Sequence, residues 1–373
     1  MIGSLLKDLE RRIDPQVEEE LLGQWKAFSD GRSDDGVFSP KRPKPSPPGV
    51  EWPHVLVNDA LQDPQAMVVQ QLEMCSKSLA EGTGALLAVR CNYGTAILPS
   101  LFGAEIFLMD REIDTLPACR PLEGGAEAVK RLLDRGVPDL ESGQGGLVLR
   151  MGEHFGRLFK EYSNLSQCVH IYHPDLQGPM NVCEMLWGGS LYVDFYDKPD
   201  LIKDFLSLIV ETYIRFMRRW EEVVPHYSSC VMRAALCVQD SASTERTTHD
   251  AAREYAVHWS MLHRGRIMVR DDAATNLSPA MYDEFVRPYD QRLLAELGGG
   301  AIHFCGRGDH FIEKVASLTG LHAINTTQPA LNDMEAIFRN TVDRGVNLLG
   351  LEREAADQAL VRRRPLHGRV HCW

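Results

Sequence analysis

Short apolar runs alternate with long amphipathic segments along most of this chain, and that alternation constrains the fold more than any other feature. The runs read as strands at residues 85–91, 168–172, 257–260 or 266–270, 301–305, 322–325, 347–351 and 369–372. Strands that alternate with helices are typical of a parallel sheet with helical crossovers. Roughly eight such units in about 290 residues favour a closed barrel over an open sheet. We therefore predict an α/β fold, a single (β/α)₈ TIM-type barrel.

Helix signals between these runs are clear. Asp14 before Pro15 and Ser278 before Pro279 are N-cap candidates followed by first-turn prolines, and residues 200–223 carry an apolar stripe at helical spacing. The stretch 39–53 holds six prolines and little periodicity. We predict an N-terminal helical arm and connector over 1–53 and the barrel over 54–373. Residues 226–256 break the rhythm and read as an insertion or a flexible loop.

Composition and charge restrict the partners. Acidic residues exceed basic ones by 52 − 40 = 12, giving a net charge of −12, and such a surface repels nucleic acid and anionic membranes. No apolar stretch approaches the ~20 residues that span a bilayer. The start of the sequence lacks a signal peptide's apolar core, and nine scattered cysteines do not form a disulfide pattern. We expect a cytoplasmic protein, a monomer or homodimer, that acts on a small molecule.

Polar side chains follow the predicted strands at their carboxyl ends, where barrel proteins build their sites. They are Asn92 and Tyr93; His173, Asp175 and Gln177; Asp271 and Asp272; His303 and Cys305; Asn325 and Gln328; and His371 and Cys372. Loop polarity alone would place Ser, Gly, Lys and Glu there. We therefore expect a site at this end of the barrel.

His303 and Cys305 are the sharpest pair in this set. Residues i and i+2 of a strand point the same way, so both side chains can approach one metal ion. Zinc accepts imidazole nitrogen and thiolate sulfur, and Cys372 at the end of the last strand could be the third ligand. Its neighbour His371 would point the other way, so only one of them can join. The alternative is that both cysteines are buried spacers and His303 is a hydrogen-bonded strand residue.

The other candidates have two interpretations each. Asp271 and Asp272 could act as a general acid or base, or orient a metal ligand, or cap the helix that begins after Ser278. His173 and Asp175 could form a proton-transfer pair, although Pro174 between them indicates a shaped turn. For substrate contacts the candidates are Asn92, Tyr93, Gln177, Asn325 and Gln328.

Several motifs resemble the uroporphyrinogen decarboxylase superfamily. They are D-x-x-x-x-L-S-P-x-x-Y-x-E-F-x-x-P beginning at Asp272, H-x-C-G beginning at His303, and N-x-x-Q-P beginning at Asn325. The earlier GPMNVCEMLWGGSLYVDFYDKPDLIKDFL is similar as well. The resemblance implies a (β/α)₈ barrel and two chemistries. One branch decarboxylates uroporphyrinogen without a cofactor, and another transfers methyl groups with a zinc ion held by His-x-Cys and a distant Cys.

This chain departs from both branches. It lacks R-Q-A-G-R-Y and H-N-I-Q-P, which disfavours porphyrinogen decarboxylation. In the methyltransferase branch the distant cysteine is followed by a final helix, whereas Cys372 is the penultimate residue here. Asn325 and Gln328 stand where the methyltransferase branch has a carboxylate. We expect a zinc-dependent methyltransferase that activates a thiol, with a corrinoid protein or a methylated small molecule as donor. The alternatives are a metal-free decarboxylase acting on an anionic substrate, and a barrel that only binds a ligand or a partner protein.

Overall fold

The computed structural model describes residues 2–225 and 254–373. Most of the predicted insertion at 226–256 therefore lies outside the described residues. The helices are α1 Ile2–Arg12, α2 Pro15–Ser29, α3 Val57–Gln62, α4 Pro64–Glu81, α5 Ile97–Leu101, α6 Gly125–Arg135, α7 Gly143–Phe159, α8 Ser163–Cys168, α9 Pro179–Trp187, α10 Leu191–Asp197, α11 Pro199–Val223, α12 Pro279–Phe285, α13 Arg287–Glu296, α14 Ile312–Ala316, α15 Met334–Asn340 and α16 Arg353–Val361. Short 3₁₀ helices lie at Arg111–Ile113, Asp272–Asn276, Pro329–Leu331 and Val342–Arg344.

Within the described residues, the strands form one large sheet and three pairs. They are β1 Val37–Phe38, β2 Ala88–Val89, β3 Ile106–Phe107, β4 Ala118–Cys119, β5 His170–Ile171, β6 Tyr255–His258, β7 Met261–Arg264, β8 Ile267–Arg270, β9 Gly300–Phe304, β10 Leu321–Thr326, β11 Asn347–Leu349 and β12 Val370–His371. The six-stranded sheet has the order β1-β12-β11-β10-β9-β8, and all of its pairings are parallel. The α/β class with a parallel sheet is therefore confirmed.

The sheet is not closed, and this departs from the predicted barrel. Strands β2 and β5 pair only with each other, and no ladder joins this pair to β8 or to β1 within the described ranges. Single hydrogen bonds lie at the gap beside β8 instead. The Met268 N–H donates to His173 Nε2 at 3.1 Å, and the Gly178 N–H donates to the Arg270 carbonyl at 2.7 Å. A side chain thus occupies a place where a ladder bond would run.

Strand alternation separates two apolar clusters. One lies between the sheet and the helices and contains strand residues whose side chains face the helices, such as Ile302, Ile324 and Val370. The other contains the intervening residues, such as Ala301 and Ala323, together with Trp25 and Phe28 of α2 and residues of the β6–β7 hairpin. We call this second one the inner cluster. Side chains on the inner side of β8, β9 and β10 therefore face the hairpin.

Helix boundaries follow the predicted local chemistry. The Asp14 carboxylate accepts the Gln16 N–H, and the Ser278 hydroxyl accepts the Met281 N–H, so both N-caps are confirmed. The segment after Pro279 is two helices rather than one, with the break at Val286. Pro288 explains the break because it has no N–H to donate and its ring would clash with a preceding carbonyl.

The N-terminal segment also contributes a strand that the sequence did not predict. Val37 and Phe38 of β1 pair in parallel with Val370 and His371 of β12. Helix α2 packs in the inner cluster, where the Trp25 indole N–H donates to the Gly84 carbonyl at 2.8 Å. None of the described helices is both long and apolar enough to cross a membrane.

Candidate metal centre

Three potential ligand side chains meet where β8 and β9 end. One donor atom each of Asp272, His303 and Cys305 lies within 4.8 Å of the others. His303 Nε2 is 3.1 Å from Cys305 Sγ and 3.6 Å from Asp272 Oδ1. The Cys305 N–H also donates to Asp272 Oδ1 at 2.6 Å, which fixes that carboxylate beside the thiol. The predicted i, i+2 convergence of His303 and Cys305 is present.

Asn325 sets the orientation and tautomer of His303. Its Oδ1 lies 2.6 Å from His303 Nδ1, and its Nδ2 donates to the Leu349 carbonyl at 2.6 Å. Because the amide oxygen faces the imidazole, Nδ1 carries the proton and Nε2 presents a lone pair toward Cys305 and Asp272. Burial lowers the pKa of His303, which favours this neutral form. Hydrogen bonds of this kind hold metal-binding histidines in place.

Cys305 is exposed at the rim of the site. The Thr327 hydroxyl donates to its sulfur at 3.2 Å. Partial burial raises the pKa of the Cys305 thiol, and the hydrogen bond from Thr327 acts in the opposite direction. A thiol with a raised pKa is a weak ligand until a cation lowers that pKa.

A cavity of about 290 Å³ adjoins the centre. It is lined by Trp259, Met261, His303, Asn325, Thr327, Gly350 and Trp373. The lining combines the imidazole of His303 and the amide of Asn325 with the indoles of Trp259 and Trp373 and the thioether of Met261. A small molecule in the cavity would therefore lie against His303.

Trp259 reaches this wall from the tip of the β6–β7 hairpin. Its ring lies 4.8 Å from the His303 ring at an interplanar angle of 79°. The Arg270 guanidinium lies 5.0 Å from the centre of the indole. The sequence analysis did not single out Trp259, because only the folded hairpin brings it to His303.

The structure does not place Cys372 with the other two predicted ligands. In the described part of the chain the group consists of Asp272, His303 and Cys305 alone. Cys372 is buried in the cluster between sheet and helices, where burial raises its pKa to about 11. The side chain of the preceding residue, His371, points to the other side of the strand. Its ring lies 4.6 Å from the Trp25 ring, and its Nδ1 accepts the Gly350 N–H at 3.0 Å. Strand alternation thus sends the thiol to the outer side, and Asp272 is the third donor.

Asp271 points away from the cavity into a buried carboxyl pair. Its carboxyl lies close to that of Asp290 of α13, and both side chains are buried. Burial raises the pKa of Asp271 to about 7, and burial together with the Asp271 charge raises that of Asp290 well above its usual range. Two neighbouring carboxyls in a buried site cannot both be charged at low cost, so one of them keeps its proton. Asp271 therefore bridges β8 to α13.

His173, Asp175 and Gln177 belong to a buried polar network. Backbone atoms occupy both ring nitrogens of His173: Nδ1 lies 2.7 Å from the Pro174 carbonyl, and Nε2 accepts the Met268 N–H. Asp175 lies 3.4 Å from Arg90 and 3.2 Å from Arg270, and it accepts the Gln177 amide at 2.6 Å. These contacts support the segment before α9 and do not form the predicted His173–Asp175 pair.

The remaining predicted contacts lie elsewhere. Tyr93 is buried in the cluster between the sheet and the helices, and burial raises its pKa to about 12. Asn92 donates weakly to Gln70 at 3.4 Å. Gln328 is exposed, and its backbone carbonyl accepts the Asn332 amide. Of the five predicted substrate-binding residues, only Asn325 lines the cavity.

The donor set fits zinc. Sulfur, imidazole nitrogen and carboxylate oxygen are its usual ligands, and catalytic zinc sites keep three protein ligands with one position open. The three residues supply one donor of each kind from two neighbouring strand ends. Asn325 provides the hydrogen bond that orients the imidazole.

The fold is similar to a solved methyltransferase from Methanosarcina mazei. The two structures align with a TM-score of 0.59 and 17% sequence identity, over 89% of this chain and 82% of that one. This likeness shows a shared fold. No protein-family model matches the sequence, and no curated protein matches it.

Proposed function

We propose that this protein is a zinc-dependent methyltransferase of the uroporphyrinogen decarboxylase superfamily. The observation that carries the proposal is the convergence of Asp272, His303 and Cys305 beside a cavity. The sequence motifs support this branch, and the structural likeness to a methyltransferase supports the fold that the proposal requires. The acceptor is a thiol or a related nucleophile.

The residues of this chain have separate roles in the proposal. Asp272, His303 and Cys305 hold the zinc, which when bound lowers the pKa of a thiol so that it is nucleophilic at neutral pH. Asn325 keeps the proton on His303 Nδ1 and the lone pair on Nε2. Thr327 orients the Cys305 sulfur. The indole of Trp259 excludes water from one side of the acceptor.

The cavity favours methyl transfer over the decarboxylase alternative. Its described lining contains neither Arg nor Lys, whereas a substrate with many carboxylates needs cationic partners. The buried Arg270 lies behind Trp259 and faces Asp175. The volume of the cavity, about 290 Å³, lies near the lower end of the range for ligand pockets. The cavity therefore suits a small acceptor. A corrin ring is far larger, so a corrinoid protein would deliver its methyl group from outside.

We propose further that the six-stranded sheet and the β2–β5 pair are parts of a distorted eight-stranded barrel, with the site at its carboxyl ends. All pairings in the six-stranded sheet are parallel, and β2 and β5 are parallel to each other. His173 and Gly178 bridge one gap by the bonds to β8, and the Arg42 N–H donates to the Gly82 carbonyl near the other. This arrangement would place His303 and Cys305 at the end where barrel enzymes carry their sites.

Metal content tests the proposal. Protein purified without added zinc should contain close to one zinc per chain. Cys305→Ser and Asp272→Asn should lower zinc affinity strongly, since each removes a ligand. Cys372→Ser is the matched control and should retain the metal, because Cys372 lies outside the group. Unmutated protein that holds no zinc, even after incubation with the ion, would end the proposal.

A further inference from the structure

The cavity beside the metal centre has one wall made by a hairpin tip. Strands β6 and β7 pair His258 with Met261, so Trp259 and Ser260 are a two-residue loop. Trp259 and Met261 both line the cavity. The inner cluster contains Val257, Met261 and Leu262 of the same hairpin, so its base is packed in place.

The loop adopts a backbone conformation that its residues disfavour. Trp259 has φ of +46° and Ser260 has φ of +63°. Two-residue loops of this kind normally use Asn-Gly or Gly-Gly, since side chains are strained at positive φ. The Ser260 carbonyl accepts the Leu86 N–H at 2.9 Å, which anchors the tip to the chain before β2. The surrounding structure thus holds a large aromatic side chain where the turn alone would favour a small residue.

The indole is fixed by contacts to two groups. His303 lies against it nearly perpendicularly, and the Arg270 guanidinium packs on it. Arg270 is itself buried and faces Asp175 at 3.2 Å. A side chain held by a ring and a cation is a rigid wall, and rigid walls discriminate ligands by size.

Another part of the lining, at Gly350, has no room for a side chain. Gly350 has φ of +63°, and a Cβ there would come within 3.0 Å of Asn325 Nδ2 and 3.2 Å of Met261 Sδ. The Trp259 ring packs against the metal ligand His303, so it limits the space beside that ligand. The described lining contains neither Arg nor Lys.

We infer that Trp259 is the specificity-determining residue of this site, and that it restricts the acceptor to a small, uncharged thiol. This inference rests on the proposed function. A longer chain meets the indole, and a carboxylate or sulfonate too far from the sulfur to reach the metal finds neither Arg nor Lys in the described lining. The S–H proton leaves to solvent when the thiol binds as a thiolate.

Binding of a thiol series to cobalt-loaded protein tests the inference. Cobalt(II) replaces the spectroscopically silent zinc, and sulfur-to-cobalt absorption reports each thiol. The probes are ethanethiol, 1-butanethiol, 1-hexanethiol and the anionic 4-mercaptobutanoate, whose carboxylate is too far from the sulfur to form a small chelate ring with the metal. The proteins are the unmutated chain, Trp259→Ala, Trp259→Phe and the control Trp52→Ala, whose indole does not line the cavity.

The unmutated protein should bind ethanethiol at least about tenfold more tightly than hexanethiol, and 1-butanethiol at least about tenfold more tightly than 4-mercaptobutanoate, each the equivalent of about 1.4 kcal/mol. In Trp259→Ala each added methylene should instead raise affinity by about fourfold until the space is filled. Trp259→Phe should be intermediate and carries the test if the alanine variant does not fold. Trp52→Ala should match the unmutated protein.

Two results would overturn the inference while leaving the proposed function intact. One is the same chain-length dependence in Trp259→Ala and the unmutated protein, and the other is equally tight binding of 1-butanethiol and 4-mercaptobutanoate to the unmutated protein. Failure to take up cobalt would refute the proposed function and this inference together. Size-selective thiol binding without methyl transfer to any thiol would refute the reaction and leave the role of Trp259 standing.

Discussion

The buried carboxyl pair formed by Asp271 and Asp290 should make the protein less stable as pH rises, and Asp290→Asn should remove that effect. In the folded protein the pKa of Asp290 is raised well above its usual range by burial and by the charge of Asp271. The folded state therefore keeps a proton that the unfolded chain releases above about pH 4. Folding stability then falls with pH, because the native state binds more protons than the unfolded one.

The size of the effect follows from the number of protons involved. One proton retained only by the folded state changes the free energy of unfolding by about 1.4 kcal/mol per pH unit. Between pH 5 and pH 7 the stability of Asp290→Asn relative to the unmutated protein should therefore increase by about 3 kcal/mol. In the unmutated protein the pKa of Asp271 is raised to about 7. The asparagine amide can donate to the Asp271 carboxylate and lower this pKa, which reduces the pH dependence of stability further.

Urea unfolding followed by tryptophan fluorescence at pH 5, 6 and 7 measures this difference. A chelator in all samples keeps bound metal from contributing. Asp343→Asn is the control: Arg364 lowers the pKa of Asp343, so the stability that this carboxylate contributes is lost only as pH falls below the tested range. Its difference from the unmutated protein should stay constant. A difference for Asp290→Asn that is flat or shrinks toward pH 7 would refute the reasoning.

Three further changes have defined outcomes. Arg42→Met leaves the buried Glu18 carboxylate without its 2.7 Å partner and should lower the free energy of unfolding by about 3–5 kcal/mol; equal urea midpoints would contradict this. Asn325→Leu removes the acceptor for His303 Nδ1 and should weaken zinc binding by about 10–100-fold in chelator competition, whereas unchanged affinity would show that the ring needs no such support. Ser260→Gly relieves a positive φ and should raise stability by about 1 kcal/mol, so a lower melting temperature would argue against strain in the loop.

Local signals predicted most of the secondary structure. The caps at Asp14 and Ser278 and the helix over 199–223 depend on neighbouring residues, and the structure has them where the sequence placed them. Closure of the sheet depends on contacts between distant strands. The side chain of His173 accepts a hydrogen bond from the Met268 N–H of β8. No periodicity in the sequence predicts that contact.

The candidate site was predictable only within one strand. His303 and Cys305 converge because strand geometry alone aligns residues i and i+2. To exclude Cys372 as the third ligand, one must know which face of β12 is buried among the helices. A strand of only two residues does not show this in the sequence. Asp272 was expected as an acid, a base or a cap, and its position beside Cys305 arises from the 3₁₀ turn after β8.

The pairing of β1 with β12 has a consequence for how the chain acquires its fold. Residues near β1 bond to residues near β12 across 331 positions, as in the contact from the Leu366 N–H to Asp35. Such pairing gives a high contact order, and loops of this length close slowly. Strand β1 has no sheet partner until ribosomal synthesis reaches β12, so this edge forms last. Until then Val37 and Phe38 are an open strand that chaperones or aggregation can capture.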